Sequence, residues 1–274
     1  MAKKCMSAQA AALNARIESA CRELKLPTVA RLYDSLCDEA VRKQKGIREV
    51  MVELLEAEVE GRLTRRIQRR LKEAGFPRPK TIDNFDFGIA PEIPGATIME
   101  LLSGNYIDSA HGVIFIGDSG TGKSHLASAL GVAACRQGRR VRFTTAANLV
   151  NDLVEARDAR ALGNVVRRYA RYEALIVDDL GYLPLANHEA ELLFQVLAER
   201  AERRSTIVTT NLPFSEFTKV FADKRLCAAV LDRLTHNAHI IDTGKRTKRR
   251  PITTPGGQPN GGERKGGRSA ARKP

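Results

Sequence analysis

The chain carries the stretch Gly117-Asp118-Ser119-Gly120-Thr121-Gly122-Lys123-Ser124, which fits the pattern G-x-x-x-x-G-K-[S/T]. Residues 113–116 form an apolar run that predicts a buried strand, and residues 125–130 predict the first turns of a helix. A phosphate-binding loop requires this order of strand, loop and helix. The alternative is a glycine turn that only joins a strand to a helix, and the complete motif favours the phosphate loop.

The residue types of this stretch suit a nucleoside triphosphate. Glycines let the backbone curl so that several N–H groups point into one concavity, and the N-terminus of the following helix adds partial positive charge. Lys123 is placed to reach the β- and γ-phosphates, and the Ser124 hydroxyl is placed to coordinate Mg²⁺. The sequence therefore predicts a nucleotide site with Mg²⁺.

The composition is ordinary for a globular chain, with 28% charged and 43% hydrophobic residues among 274. No apolar run approaches the length of a membrane span, and the N-terminus lacks the apolar core of a secretory signal. The five cysteines are scattered and form no C-x-x-C pair, which indicates reduced thiols rather than disulfides or a metal site. These features predict a cytoplasmic protein.

The net charge of +13 is unevenly distributed. Residues 1–80 hold 18 Lys and Arg against 11 Asp and Glu, and residues 244–274 hold 10 against 1. Residues 81–243 hold 17 against 20 and are close to neutral. Basic flanks on a neutral core favour a polyanionic partner, most simply nucleic acid, over two merely solubilising ends.

The first quarter of the chain predicts a helical region with breaks at Pro27 and Gly46. In its last helix Leu63, Ile67 and Leu71 recur every four residues, which predicts the packed stripe of that helix. The other faces carry five arginines, which we interpret as a DNA-phosphate surface: Arg62, Arg65, Arg66, Arg69 and Arg70. The alternative is a solvated face paired with the glutamates just upstream.

Predicted strands alternate with predicted helices through the rest of the chain, beginning with a helix at residues 97–110. After the strand at 113–116, we predict strands at residues 140–145, 174–179, 206–211 and 239–242. Such alternation indicates an α/β fold with a parallel sheet and helices on both faces. From Gly244 onward the composition predicts a disordered basic tail.

Polar residues end the third and fourth predicted strands, where ligands of open α/β sheets bind. Asp178 is aimed at the Mg²⁺ held by Ser124, and Asp179 is a candidate to polarise the attacking water. The alternative for this pair is a helix cap or a turn. Asn211 is a candidate to contact the γ-phosphate or the water, although Asn also begins turns.

Arginine and phenylalanine side chains leave further alternatives open. Arg233 and Arg225 are candidates to stabilise phosphate charge across a subunit interface, and salt bridges to nearby aspartates explain them equally well. Phe85 and Phe87 either fill the core or flank a purine, and the pattern alone favours core packing.

Six short motifs occur in order over residues 45–243. They are Ala74-Gly75-Phe76-Pro77, Phe85-Asp86-Phe87, the phosphate loop with His125-Leu126-Ala127, Val177-Asp178-Asp179-Leu180-Gly181, Thr209-Thr210-Asn211 and Leu231-Asp232-Arg233-Leu234. The set resembles the IstB-type transposition helper ATPases, which are AAA+ proteins similar to DnaC-type helicase loaders. The resemblance implies an AAA+ P-loop domain with a five-stranded parallel sheet in the order 5-1-4-3-2, preceded by a small all-α domain.

The resemblance also implies a division of the chain and roles for single residues. The parts would be a helical DNA- or partner-binding domain (1–75), a linker with the adenine-side segment (76–110), the ATPase core (111–243) and the basic tail (244–274). ATP would bind to the loop from Gly117 to Ser124 together with His125 and Phe85, with Phe85 in the adenine pocket. Catalysis would involve Lys123 on the phosphates, Asp178 on Mg²⁺, Asp179 on the water, Asn211 as sensor 1 and Arg233 as an arginine finger for a neighbouring subunit.

The resemblance implies partners as well. Members assemble on duplex DNA as ATP-bound oligomers, hydrolyse ATP and recruit or stimulate a transposase, and their DNA binding is largely independent of sequence. The chain departs from the family after Gly244, where members carry a segment resembling G-x-S-Y-R and this chain has a basic run. A replicative helicase loader with the same core remains the alternative, and a small-molecule kinase would leave the basic ends unexplained.

Overall fold

The computed structural model describes residues 2–88, 90–182 and 184–244, without the side chains of residues 2–10. Three helices come first: α1 (Ala2–Glu23), α2 (Pro27–Lys43) and α3 (Ile47–Ala74). The breaks predicted at Pro27 and Gly46 are confirmed, because α2 begins at the proline and Gly46 is the N-cap of α3. The predicted tail lies outside the described residues from 245 onward.

The described residues contain one parallel sheet. Its strands are β1 (Val113–Ile116), β2 (Val141–Thr145), β3 (Ala174–Asp178), β4 (Ser205–Thr210) and β5 (His239–Asp242). They are ordered β2-β3-β4-β1-β5, and every neighbouring pair is parallel. This is the order 5-1-4-3-2 from the other edge, so the predicted fold is confirmed.

Helices cover both faces of the sheet. They are α4 (Gly95–Leu102), α5 (Asn105–Asp108), α6 (Lys123–Arg136), α7 (Ala146–Asp158), α8 (Leu162–Ala170), α9 (Asn187–Arg200) and α10 (Lys224–Thr235), with 3₁₀ turns at Ile82–Asn84 and Phe214–Lys219. The single helix predicted over residues 97–110 is wrong. Gly104 has φ 86° and separates α4 from α5 there.

The strands are buried on both faces, as a parallel sheet requires. Ile114 of β1 packs in one apolar cluster with α7, α9 and α10, whereas its neighbour Phe115 packs in a second cluster with α4, α5 and α6. The alternation follows from the two-residue period of a strand. No described helix combines the length and apolarity needed to cross a bilayer.

The long helix α3 changes its packing partner along its length. Its first half packs against α2 and buries Leu54, whereas its last turns pack against α6 and β2 and bury Ala74. Leu63 lies between these two contacts and is 53% exposed, so the predicted packed stripe is wrong at this residue. Ile67 and Leu71 of the same stripe are half-buried.

Candidate functional site

The predicted phosphate loop joins the carboxyl end of β1 to the first turn of α6. Its glycines adopt positive φ angles, with 147° at Gly117 and 101° at Gly122. Space is limiting too, since a Cβ on Gly117 would lie 2.4 Å from Thr243 Oγ1 and one on Gly122 would lie 2.7 Å from a ring carbon of Phe85. Glycine at these positions lets the loop fit between the end of β5 and the Phe85 ring.

The loop lysine is buried within the loop. Lys123 Nζ donates to the carbonyl oxygens of Gly117 and Asp118, at 2.7 Å each. Burial lowers the pKa of Lys123, and the carboxylates of Asp179, Asp178 and Asp118 act in the opposite direction. The ammonium group therefore lies where phosphate oxygens can replace the two carbonyls as acceptors.

A threonine of β4 connects the two predicted catalytic carboxylates. Thr209 Oγ1 donates to Asp178 Oδ1 at 2.5 Å and accepts the backbone N–H of Asp179 at 2.9 Å. Sequence reasoning gave Thr209 no role, because its partners lie 31 and 30 residues away and meet it only when β3 pairs with β4. The contact places the Asp178 carboxylate at the carboxyl edge of the sheet.

Asp179 is the first residue after β3 and adopts a left-handed backbone conformation with φ 58°. Burial raises the pKa of Asp179, the neighbouring Asp178 raises it further, and Lys123 opposes both. A carboxylate with a raised pKa accepts a proton more readily than an exposed aspartate does. The environment of Asp179 therefore suits the predicted polarisation of water, which remains a prediction.

One cleft at the carboxyl edge brings together many of the predicted site residues. The predicted residues that line it are Ser119, Gly120, Gly122, Lys123, Ser124, His125, Asp179 and Asn211. Lys80 and Tyr182 also line the cleft and were not predicted. Nothing in the sequence marks Lys80, which lies in the linker, or Tyr182, which lies in the turn after β3.

The other side of the phosphate loop is bound to the segment that follows β5. The Asp118 N–H donates to Gly244 O at 3.1 Å, and the hydroxyl oxygens of Thr121 and Thr243 lie 2.6 Å apart. Gly117 lies against Thr243 as well. Gly117, Asp118 and Thr121 therefore contact the segment after β5, on the side of the loop that faces away from the cleft.

Phe85 packs against the core, as the first of its two sequence interpretations expects. Its ring packs edge-on against Phe87 and His125, with centroids 4.9 and 5.2 Å away, and joins the apolar cluster beneath α6. The same ring contacts the loop at Gly122. His125 Nε2 lies 2.9 Å from Thr81 O, which ties this segment to the first turn of α6. Contact with adenine remains a prediction.

The predicted Mg²⁺ ligands are compatible with that ion. The described residues include no cluster of three His, Cys, Asp or Glu side chains suited to a metal. Mg²⁺ does not need one, because it is usually held by one or two protein oxygens together with substrate phosphates and water. The Ser124 hydroxyl at the start of α6 and the Asp178 carboxylate at the end of β3 supply such oxygens at the same edge.

Arg233 lies at the opposite edge of the sheet from the cleft. It occupies the last turn of α10, beside Gly112 and Thr206 at the starts of β1 and β4, and its Nη1 is 3.9 Å from Glu202 Oε1. The four residues of β1 separate this edge from the phosphate loop by roughly 13 Å. Arg233 therefore lies at the far end of β1 from the phosphate loop of its own chain. Arg225 is exposed in the first turn of α10.

Two of the arginines predicted to contact DNA hold α3 to α2. Arg62 and Arg65 form ion pairs with Glu58 at 3.1 and 2.9 Å, and Glu58 is only 3% exposed. The Glu58 carboxylate also accepts the backbone N–H groups of Thr28 and Val29 at the start of α2. The pairing alternative is therefore observed for these two arginines.

The remaining three arginines differ in exposure, because the Arg70 side chain is only 18% exposed whereas Arg66 and Arg69 are exposed. Arg69 and Arg70 lie 3.9 and 3.1 Å from Glu73, and the Arg69 side chain is 66% exposed. Arg66 is exposed and lies near Gly138 in the turn between α6 and β2. The DNA surface on α3 stays a prediction, for which Arg66 and Arg69 are the best-placed residues.

The whole chain can be compared with known proteins. The model of the family described as IstB-like ATP binding protein matches residues 19–252. The chain is 37% identical over 227 residues to a protein of insertion sequence IS5376 from Geobacillus stearothermophilus, covering 83% of this chain and 90% of that one. It is 34% identical over 218 residues to a protein of insertion sequence IS232 from Bacillus thuringiensis subsp. berliner, covering 80% and 87%. Both relatives are described as ATP-binding.

The fold is also similar to that of a solved structure. AMPPCP-bound DnaA from Aquifex aeolicus superposes with a TM-score of 0.51 at 20% identity, covering 61% of this chain and 50% of that chain. The family match includes the phosphate loop, both carboxylates and Arg233. The chain therefore belongs to the family of IstB-like ATP binding proteins and has the AAA+ P-loop fold.

Proposed function

We propose that the chain is an ATP-dependent helper of transposition that assembles on target duplex DNA, hydrolyses ATP and recruits or stimulates a transposase. The observation that carries this proposal is the cleft in which Lys123, Asp179 and Asn211 meet. A cation, a carboxylate and an amide at one phosphate loop are the groups that transfer of a phosphoryl group to water requires. The insertion-sequence relatives support transposition over a kinase or a helicase loader.

The loop and its lysine would bind the triphosphate. Backbone N–H groups at the start of α6 and the Lys123 ammonium would contact the phosphates, and Phe85 and His125 would lie on the adenine side. Ser124 and Asp178 would hold Mg²⁺, which supplies charge neutralisation on the phosphate oxygens when bound. The oxygen ligands at the ends of α6 and β3 support this assignment.

Hydrolysis would be completed at the carboxyl edge. Asp179 would accept a hydrogen bond from the attacking water and so polarise it. Asn211 would orient the water or the γ-phosphate. Arg233 of one subunit would stabilise the charge on the phosphates bound by another. Its place at the far edge of its own sheet supports a role between subunits.

The basic flanks support binding to DNA. Residues 1–80 carry a net charge of +7, whereas residues 81–243 carry −3. Contacts from Arg66 and Arg69 to phosphates would give binding that is independent of sequence and that weakens as salt increases. A helper that acts on chromosomal DNA would work in the cytoplasm.

The proposal is tested by fluorescence anisotropy of a labelled DNA duplex, with a non-hydrolysable ATP analogue, with ADP or without nucleotide. We expect the analogue to tighten binding and Lys123→Ala to remove this effect, because the phosphates lose their cation. Lys43→Ala is the matched control, since Lys43 is 64% exposed on α2 and pairs with Glu39. Equal binding in all nucleotide states would contradict the proposal.

The same samples separate helper from loader. Added transposase should join the ATP-bound complex and remain with it through gel filtration. A stable complex with the hexameric replicative helicase, and none with the transposase, would support the loader instead.

A further inference from the structure

The carboxyl ends of β3 and β4 are joined by three hydrogen bonds to one residue. Thr209 Oγ1 bonds Asp178 Oδ1 and the Asp179 N–H, and Thr209 O accepts the N–H of Leu180 at 2.9 Å. Thr209 is fully buried, and Asp178 is 7% exposed. These bonds hold the end of β3 and the turn that follows it.

We infer that Thr209 is a positioning residue for the proposed reaction. Its hydroxyl orients the Asp178 carboxylate toward the metal and holds the turn that carries Asp179 into the cleft. The inference rests on the proposed ATP hydrolysis. In it, Thr209 contacts neither nucleotide nor water and acts by fixing the orientation of Asp178 and the backbone of Asp179.

The capacity of a hydroxyl group supports the first part of this role. A threonine hydroxyl has one proton to donate and can also accept. The proton goes to Asp178 Oδ1 in a short bond to a charged acceptor, and the oxygen accepts the Asp179 N–H. Asp178 Oδ2 makes no hydrogen bond within the described residues, so the carboxylate is fixed through one oxygen and the other stays available as a ligand.

The backbone of Asp179 supports the second part. A non-glycine residue with φ 58° is in a sparsely populated conformation and persists where its surroundings hold it. The consecutive N–H groups of Asp179 and Leu180 both bond Thr209, one to the hydroxyl and one to the carbonyl. Removing the hydroxyl releases the first of these bonds and leaves the second.

Thr209 also lies close in sequence to Asn211, the residue proposed to contact the γ-phosphate. Asn211 follows Thr209 by two residues and lines the cleft with Asp179. One short segment, from Thr209 to Asn211, therefore bonds Asp178 and Asp179 and also carries the residue proposed to contact the γ-phosphate.

The test compares Thr209→Val, which keeps the shape and removes the hydroxyl, with Thr209→Ser, which keeps the hydroxyl. The affinity for a fluorescent ATP analogue is measured in Mg²⁺ and in EDTA. Thr144→Val is the matched control, because Thr144 is a buried threonine of β2 whose hydroxyl donates to the neighbouring Thr145 carbonyl, at 3.2 Å.

We expect Thr209→Val to bind the analogue normally in EDTA and to lose 10- to 100-fold of the tightening that Mg²⁺ gives, as found for residues that orient metal ligands. Thr209→Ser should restore the tightening, and Thr144→Val should leave it unchanged. Normal Mg²⁺ dependence in Thr209→Val would overturn the inference, as would an equal loss in EDTA and in Mg²⁺. Failure of the wild-type chain to bind or hydrolyse ATP would instead overturn the proposed function.

Discussion

The backbone conformation of Asp179 is stabilised by contacts with neighbouring residues. Its backbone occupies the left-handed region, and its N–H is bound by Thr209 on the adjacent strand. Burial and the adjacent Asp178 raise the pKa of Asp179, while Lys123 limits the rise. The result is a half-buried carboxylate at the cleft whose pKa lies above its ordinary value.

At this scale we predict that Asp179→Asn retains ATP binding and lowers hydrolysis by about 10²-fold or more, because the amide cannot accept a proton from water. Phosphate release and binding of a fluorescent ATP analogue measure the two effects separately. Asp158→Asn is the control, since Asp158 is 65% exposed at the end of α7. Normal turnover in Asp179→Asn would move the water-activating role to another residue.

The sequence predicts the residues whose signal is local. The phosphate loop is readable because glycines, lysine and serine occur at fixed spacing between a strand and a helix, and Asp178 is readable because it ends an apolar strand. The roles of Thr209 and Lys80 are not readable, because the bonds of Thr209 form only when β3 pairs with β4 and Lys80 meets the phosphate loop only in the folded cleft. For Arg62 and Arg65 the sequence offers pairing with upstream glutamates as an alternative, but it does not show that Glu58 is buried.

The apolar repeat of helix α3 does not coincide with its buried residues. Apolar residues recur every four positions from Ile47 to Leu71, but those from Met51 to Leu63 are at least half exposed. Repetition at this spacing follows a ridge that turns gradually around the helix. The ridge is half-buried only near its end, at Ile67 and Leu71, whereas the residues buried on the α2 side, Leu54 and Glu58, lie on another row, so the period alone does not identify the buried residues.

We predict opposite outcomes for two adjacent leucines of α3. Leu54→Ala should lower the free energy of unfolding by about 2–4 kcal/mol, because Leu54 is buried against α2. Leu55→Ala should change it by less than about 0.5 kcal/mol, because Leu55 is 51% exposed. Urea unfolding measures both values, and equal costs would show that a partner covers the exposed side of α3.

A second prediction at this scale concerns Glu58. Burial by itself would raise the pKa of Glu58, but hydrogen bonds from Thr28, Arg62 and Val29 outweigh burial and hold this pKa below its ordinary value. Glu58→Ala should lower the free energy of unfolding by about 1–3 kcal/mol at neutral pH, because the charged acceptor is lost. Glu60→Ala, at an exposed position of α3, is the control.

The pH dependence of this effect has a definite sign. A carboxyl group with a lowered pKa in the folded state contributes its full stabilisation above its unfolded pKa of about 4.3. The contribution disappears as the pH falls through the lowered folded-state pKa. The difference between wild type and Glu58→Ala should therefore shrink below about pH 4.3, and a difference that grows in acid would contradict the assigned contacts.

The two groups of residues proposed to act in hydrolysis lie at opposite edges of the sheet. The phosphate loop, both carboxylates and Asn211 lie at the carboxyl edge of the sheet, and Arg233 lies at the amino edge. Sequence motifs name both sets of residues, and the parallel sheet shows that they lie at opposite ends of its strands. Assembly and hydrolysis are therefore linked in the proposed function.

We predict that Arg233→Ala lowers hydrolysis on DNA by on the order of 10³-fold, because the charge on the phosphates loses its arginine. Mixing this variant with Asp179→Asn should recover activity that neither has alone. In the mixture, the unchanged Asp179 of an Arg233→Ala subunit can lie beside the unchanged Arg233 of an Asp179→Asn subunit. Arg225→Ala should retain most of its activity. A mixture as inactive as its components would place both functions within one subunit.

Electron microscopy of the chain on duplex DNA, with and without a non-hydrolysable ATP analogue, tests the central claim most directly. The claim is that ATP in the phosphate loop controls assembly on DNA. We predict closed or helical oligomers on DNA with the analogue, and no such oligomers without nucleotide or with Lys123→Ala. Oligomers of the same form in the absence of nucleotide, or in Lys123→Ala, would contradict the account.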